Sequence, residues 1–312
     1  MTKRIPVILD TDIGSDIDDT WALAMLLNSP EVDVRLIVSA TGDTLFRAKL
    51  IAKFLQATGH DSIPLGIGVA KGDKVVANAH GKAPEQRLAT WITDYDLSQY
   101  PGAVAQDGVD ALIQAVRQSD EIITILGIGP LTNIAEALRR APDIAAKCRF
   151  VGMQGSINRG YKKETCVPEY NVFHDVEAAR ATFAAPWQSM TITPLDTCET
   201  IVLREGKYRT VAESSHPLAA TILEQYRLWA APSSGGRMIA SSCLFDTVAV
   251  YLVYSTDCLE MKEMKLAITD DGRTVSAASG APVNVAIAWK NLASFEDFLV
   301  QRLTVDQVLE VV

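Results

Sequence analysis

Residues 8–27 read Ile-Leu-Asp-Thr-Asp-Ile-Gly-Ser-Asp-Ile-Asp-Asp-Thr-Trp-Ala-Leu-Ala-Met-Leu-Leu, so that five carboxylates (Asp10, Asp12, Asp16, Asp18 and Asp19) fall within ten positions, directly after an apolar run. The run reads as a buried strand and the stretch from Thr20 onward as a helix. Asp12, Asp18 and Asp19 then sit at the carboxyl end of a first strand and the start of the next helix, where open α/β sheets place their ligands. Like charges at this density repel, so the fold must turn them to water, use them as helix caps or have them share a cation. An all-oxygen donor set selects a hard ion, Ca²⁺ or Mg²⁺, over zinc. The plainer reading is that Asp18 and Asp19 cap the helix and complement its dipole, with Asp16 a solvated loop charge.

Working outward, short apolar runs alternate with amphipathic segments for two-thirds of the chain, the pattern of repeated βαβ units. Strands are expected near 5–10, 34–39, 63–67, 121–126, 148–153 and 189–193, and helices near 19–28, 45–58, 107–118, 131–140, 175–183 and 217–230. Between Leu266 and Ala288 an Asp-Asp-Gly turn joins extended segments as a hairpin adding edge strands, before a last helix near 294–303. The expected fold class is therefore α/β, an open and mostly parallel sheet flanked by helices with a C-terminal hairpin appended. No linker or repeat divides it, which makes 1–312 a single domain. Segments 68–105, 154–170 and 231–244 exceed what a connection needs, and such loops commonly carry function.

With 48% hydrophobic and 21% charged residues, the chain can bury a core and is not disordered. A net charge of −9 without a Lys/Arg stripe argues against a nucleic-acid partner. The apolar run behind the basic start is too short for a signal peptide or a membrane span, so the expected location is cytoplasmic, with no membrane partner. Five cysteines without CxxC spacing fit reduced thiols better than disulfides or a zinc site.

Three later motifs add to the first. Ile125-Leu-Gly-Ile-Gly-Pro-Leu-Thr-Asn-Ile-Ala ends a strand in a glycine-rich turn and opens a helix; Thr132 could turn its carbonyl to a metal at the sheet edge, although such turns more often serve tight turning alone. In Pro168-Glu-Tyr-Asn, Glu169 and Asn171 lie two apart, which on an extended segment puts both on one face, suited to sugar hydroxyls or simply solvated. Asp246 precedes an apolar helix and would, taken alone, be its cap.

Together these pieces resemble the inosine-uridine-preferring nucleoside hydrolase family along essentially the whole chain. Its members open with a strand and Asp-x-Asp-x-Gly-x-Asp-Asp; Asp10-Thr-Asp12 and Asp18-Asp19 match, with two more residues than usual between Gly14 and Asp18. Gly42-Asp43 falls where the family has Gly-Asn, and Gly129-Pro-Leu-Thr-Asn, Glu169-Tyr-Asn171 and Asp246 follow in family order. The resemblance implies a Rossmann-like nucleoside hydrolase fold and calcium-dependent hydrolysis of ribonucleosides to ribose and base. A Ca²⁺ ion would be held by Asp12, Asp19, the Thr132 carbonyl and Asp246, with water and two ribose hydroxyls completing its shell. Asp12 would act as general base, Asp18, Asp43, Glu169 and Asn171 would hold the sugar, and the chain would form a homodimer or homotetramer.

The sequence departs from the family at Phe245, where many members carry a histidine thought to protonate the departing base. His80, in the first long loop, is the best replacement acid, with a solvated loop histidine the alternative. The other route is stacking of a purine, as in the purine-preferring branch, which makes purine ribosides modestly favoured. Gln225 and Trp229, spaced i,i+4 on one helix, are placed to reach the base, with Trp91 a weaker candidate and core packing the alternative. Three competing readings differ in class. A haloacid-dehalogenase-type phosphatase leaves Glu169-Tyr-Asn171 unexplained; a non-catalytic calcium-dependent nucleoside- or sugar-binding protein has no need of the water-activating carboxylate; another ribosyl compound as substrate would keep the same sugar site.

Overall fold

The computed structural model describes residues 3–71, 87–234 and 238–306, without the side chains of 231–234. Seven strands come first: β1 (Ile5–Thr11), β2 (Val32–Ser39), β3 (Leu65–Ile67), β4 (Val104–Ala105), β5 (Ile123–Gly127), β6 (Cys148–Met153) and β7 (Ser189–Thr193). They pair in parallel, and β8 (Leu259–Ile268), β9 (Thr274–Ser276) and β10 (Ala281–Trp289) extend the same sheet. The strand order is β4-β3-β2-β1-β5-β6-β7-β10-β8-β9. The chain runs outward from β1 to β4 and then returns to β5 on the other side of β1. A crevice therefore opens at the carboxyl ends of β1 and β5, the switch point at which such sheets bind ligands.

Both faces of β1 are buried, as befits a central parallel strand. Val7 and Leu9 join the core under α1 (Asp18–Leu27) and α2 (Thr44–Ala57), while Ile8 joins that under α3 (Gly108–Arg117) and α4 (Thr132–Arg140). Helices α5 (Tyr170–His174), α6 (Val176–Ala184), α7 (Leu195–Cys198), α8 (Glu205–Ala212), α9 (Pro217–Ser234), α10 (Phe245–Leu252) and α11 (Leu292–Thr304) follow. Among the described residues no helix is long and apolar enough to cross a membrane.

The expected elements are found within two residues or so at most ends, and the hairpin forms between β8 and β9 around Asp270-Asp271-Gly272. Two details differ. The edge is not a simple appendage, because β10 inserts between β7 and β8, parallel to the former and antiparallel to the latter. Asn171 lies not on an extended segment but in the helical turn α5, which Glu169 caps by accepting from the backbone N–H groups of Asn171 and Val172 at 2.8 and 3.2 Å.

Candidate active site

The acidic loop after β1 is shaped from below by a residue that carries no motif. Arg47, on α2 and 1% exposed, donates to the carbonyl of Asp12, to that of Ile13 at 2.9 Å, to that of Thr41 at 2.8 Å and to the Ser15 hydroxyl at 2.8 Å. A guanidinium with its donors fixed on carbonyls brings a positive charge under a crowd of aspartates. Gly14 lets the loop turn tightly over it, at φ +106° and with Leu50 Cδ1 only 2.7 Å from where a Cβ would sit.

Above the arginine the carboxylates converge. Ligand oxygens of Asp18, Asp19 and Asp246 lie within 4.8 Å of one another, all three buried. Asp19 also accepts from the Thr11 hydroxyl at 2.5 Å, and Asp18 from the Asp246 backbone N–H at 3.3 Å. Burial pushes Asp18 up to about 8, with the charge of Asp16 adding to it. Burial likewise drives Asp19 and Asp246 well above the ordinary carboxylate range, each raised further by acidic neighbours. Asp12 is raised by burial too, against the pull of Arg47. Asp10 stays behind the site: Asn133 of the Gly-Pro-Leu-Thr-Asn motif donates to it at 2.7 Å, and burial raises it to about 7.

These acids form one wall of a cavity of about 850 Å³ whose lining includes Asp12, Asp18, Asp19 and Asp246, Ile128 at the end of β5, Met153 at the end of β6, and Glu169, Tyr170 and Asn171. Glu169 also accepts from the Gly155 backbone N–H at 2.9 Å, and its burial nevertheless raises it to about 7. The Asn171 amide donates to the carbonyls of Ile128 and Met153 at 3.2 and 3.0 Å. The lining also holds aromatic and apolar residues, Tyr226, Trp229, Met238 and Phe245. Tyr226 and Trp229 stack at 6.0 Å, and the Trp229 indole N–H is buried without a partner among the described residues.

Four residues expected at the site do not line this cavity. Thr132 turns its hydroxyl to Asp175 at 2.6 Å, at the start of a helix that begins beyond the Gly129-Pro130 turn, while Ile128, before that turn, lines the cavity. Asp43 caps α2 by accepting from the Phe46 N–H at 3.0 Å. Gln225 is fully buried and accepts from Thr20 on α1 at 3.1 Å; the residue four positions on is rotated just enough to face the cavity instead. Trp91 is core, with the Lys53 ammonium 4.9 Å from its ring. His80 lies outside the described residues, and among these no histidine lines the cavity.

The comparisons with known proteins agree with this geometry. The family model described as inosine-uridine preferring nucleoside hydrolase matches residues 7–297. The chain belongs to that family. It is therefore an N-ribosyl hydrolase by kinship. It is 26% identical to the non-specific ribonucleoside hydrolase RihC of Escherichia fergusonii over 96% of this chain and 98% of that protein. To the protein of the same name from Shigella boydii it is 27% identical, over 91% and 93%. Two solved structures share the fold: the plant nucleoside hydrolase PpNRh1, with a TM-score of 0.79 at 20% identity over 97% and 99% of the two chains, and a purine-preferring ribonucleoside hydrolase from Gardnerella vaginalis, at 0.75 and 22% over 96% and 98%.

Proposed function

We propose that this family member hydrolyses the N-glycosidic bond of ribonucleosides with the help of a divalent cation, calcium by the hardness of the donors, and that it modestly favours purine ribosides. The supporting observation is the convergence of three buried carboxylates in a cavity that Asp12, Glu169, Asn171, Tyr226 and Trp229 also line. Buried carboxylates pushed toward neutrality by one another are an unstable set until a cation shares them, so the donor chemistry fits. Asp12, Asp19 and Asp246 would hold the ion, with a backbone carbonyl of the 128–132 turn as a further ligand. The bound ion would supply positive charge that lowers the pKa of a nearby water.

The side chains then divide the work. Asp12 takes the proton of the attacking water as general base. Asp18 accepts from a ribose hydroxyl. Glu169 and the amide of Asn171 hold the other end of the sugar, so that the ring flattens toward its oxocarbenium-like transition state. Asp43 and Gln225 support the site from behind, through the α2 cap and the α1 contact. Trp229 and Tyr226 stack the base. Phe245 offers no proton, which favours a base that takes one from solvent while stacked.

The test is release of free ribose from purine and pyrimidine ribonucleosides and their 2′-deoxy forms, in the presence of calcium. Ribonucleosides are expected to exceed 2′-deoxynucleosides by about two orders of magnitude in kcat/KM, because a missing hydroxyl leaves buried partners unpaired. Equal rates for inosine and deoxyinosine would refute the sugar contacts. Release from no riboside at all would return the chain to the class of binding proteins.

A further inference from the structure

Between β6 and α5 the chain makes a small hairpin at the cavity mouth, firmly anchored at its base. The buried carboxylate of Asp196, on α7, accepts from the backbone N–H groups of Ile157 and Asn158 and from the Asn158 amide, each at 2.9 Å. Gly160 has no room for a side chain, since a Cβ would sit 2.6 Å from Leu195 Cδ1. Gly160 and Lys163 exchange backbone hydrogen bonds at 3.3 and 3.0 Å, which makes Tyr161 and Lys162 the central pair of a two-residue turn. Both are left-handed, at φ +49° and +61°.

A central pair with two positive φ values normally selects Asn-Gly or Gly-Gly, because a Cβ collides with the backbone in that region. Tyr-Lys here holds the conformation against its own preference, and such residues concentrate where geometry is needed for function. What the turn achieves is the placing of one phenol. Tyr161 lines the cavity, and its hydroxyl oxygen accepts from the backbone N–H of Tyr170 at 3.1 Å, between Glu169 and Asn171 in the chain. With a lone pair so engaged, the phenolic proton points elsewhere and has no acceptor among the described residues.

We infer that Tyr161 is a substrate-orienting residue whose O–H donates to the 5′-oxygen of the ribosyl group, the strained turn presetting that hydrogen bond. The inference rests on the sugar reading given above. A ribosyl unit has three hydroxyls. The vicinal pair belongs to the acidic cluster, which leaves the exocyclic hydroxymethyl for the Glu169 side. There Glu169 accepts the 5′ O–H while Tyr161 donates to the same oxygen, so one hydroxyl is satisfied in both directions.

The experiment pairs Tyr161→Phe with removal of the 5′-oxygen. Binding of 1,4-anhydroribitol and of its 5-deoxy form, neither of which can be hydrolysed, is measured by calorimetry with calcium present, alongside kcat/KM on inosine and 5′-deoxyinosine. The variant should bind the hydroxylated ligand about three- to tenfold more weakly and the 5-deoxy ligand as wild type does, the size of one net hydrogen bond. Equal losses on both ligands, no loss on either, or no binding of either by the wild type would overturn the inference. Selectivity with binding but no ribose release by the wild type would sink the hydrolase reading and leave the Tyr161 contact standing. The wild type's own preference for the hydroxylated ligand is read independently of any folding defect in the variant, and its absence also contradicts the contact.

Discussion

The two ends of the cavity are built on different principles. At the acidic end Asp12, Asp18, Asp19 and Asp246 are each no more than 4% exposed, carried on the first residues after β1 and on the first turns of α1 and α10, with Arg47 beneath them. The aromatic and apolar lining is less enclosed: Tyr226 is buried, but Trp229 on α9, Met238 in the segment before α10 and Phe245 at the start of α10 are only half-buried. The acids are held by packing and by buried hydrogen bonds; the half-buried aromatic and apolar side chains keep surface that a ligand would cover. Chemistry common to every riboside belongs at the rigid end, and discrimination between bases at the adaptable one.

That division implies unequal mutational effects. Asp12→Ala and Asp246→Ala should each reduce ribose release by about a thousandfold or more, since a general base is worth roughly 10²–10⁴ and an ion ligand is lost as well. Wild-type rates in either variant would break the comparison at its stronger side. Trp229→Ala should cost about tenfold in kcat/KM on purine ribosides and less on uridine, the scale of one stacked base. An equal loss on both would make Trp229 a packing residue and blur the two ends into one.

An effect on stability rather than on rate sharpens the boundary between them. Glu169 is pushed up to about 7 from 4.5 by burial, so between those values the native protein holds a proton that the unfolded chain has released. Its contribution favours folding in acid and is lost as pH rises through about 7. Glu169→Gln should therefore flatten the fall of Tm between pH 5 and 8, by up to about 3 kcal/mol in the underlying free energy. An unchanged slope would mean that the three amide donors keep Glu169 ionised throughout.

The acidic end was readable because its residues are neighbours in sequence: five aspartates behind one strand announce a shared environment, and Glu169, Asn171 and Asp246 follow in family order. The α/β sheet was readable for the same reason, its strands being short apolar runs. Arg47 escaped notice because a lone arginine on an amphipathic helix reads as solvated surface, and only the fold brings its guanidinium under the loop of Asp12. That Ile128 reaches the cavity while Thr132 turns its hydroxyl to Asp175 depends on where the helix begins after the Gly-Pro turn, a boundary that periodicity does not resolve. Gln225 was misdirected by helical spacing, which groups i and i+4 on one side but leaves them about 40° apart, enough for Thr20 to claim one of them. The Tyr161 turn carries no glycine in its centre and so gave no turn signal at all.

The central claim is that the carboxylates of Asp12, Asp18, Asp19 and Asp246 act together with a divalent cation on ribosides. It is tested most directly by stripping the protein with a chelator and titrating calcium back while following ribose released from inosine. The account predicts that stripping lowers the rate by at least about two orders of magnitude and also lowers Tm, and that both return saturably as the ion refills the cluster. A metal-free protein that turns inosine over at the full rate would contradict it.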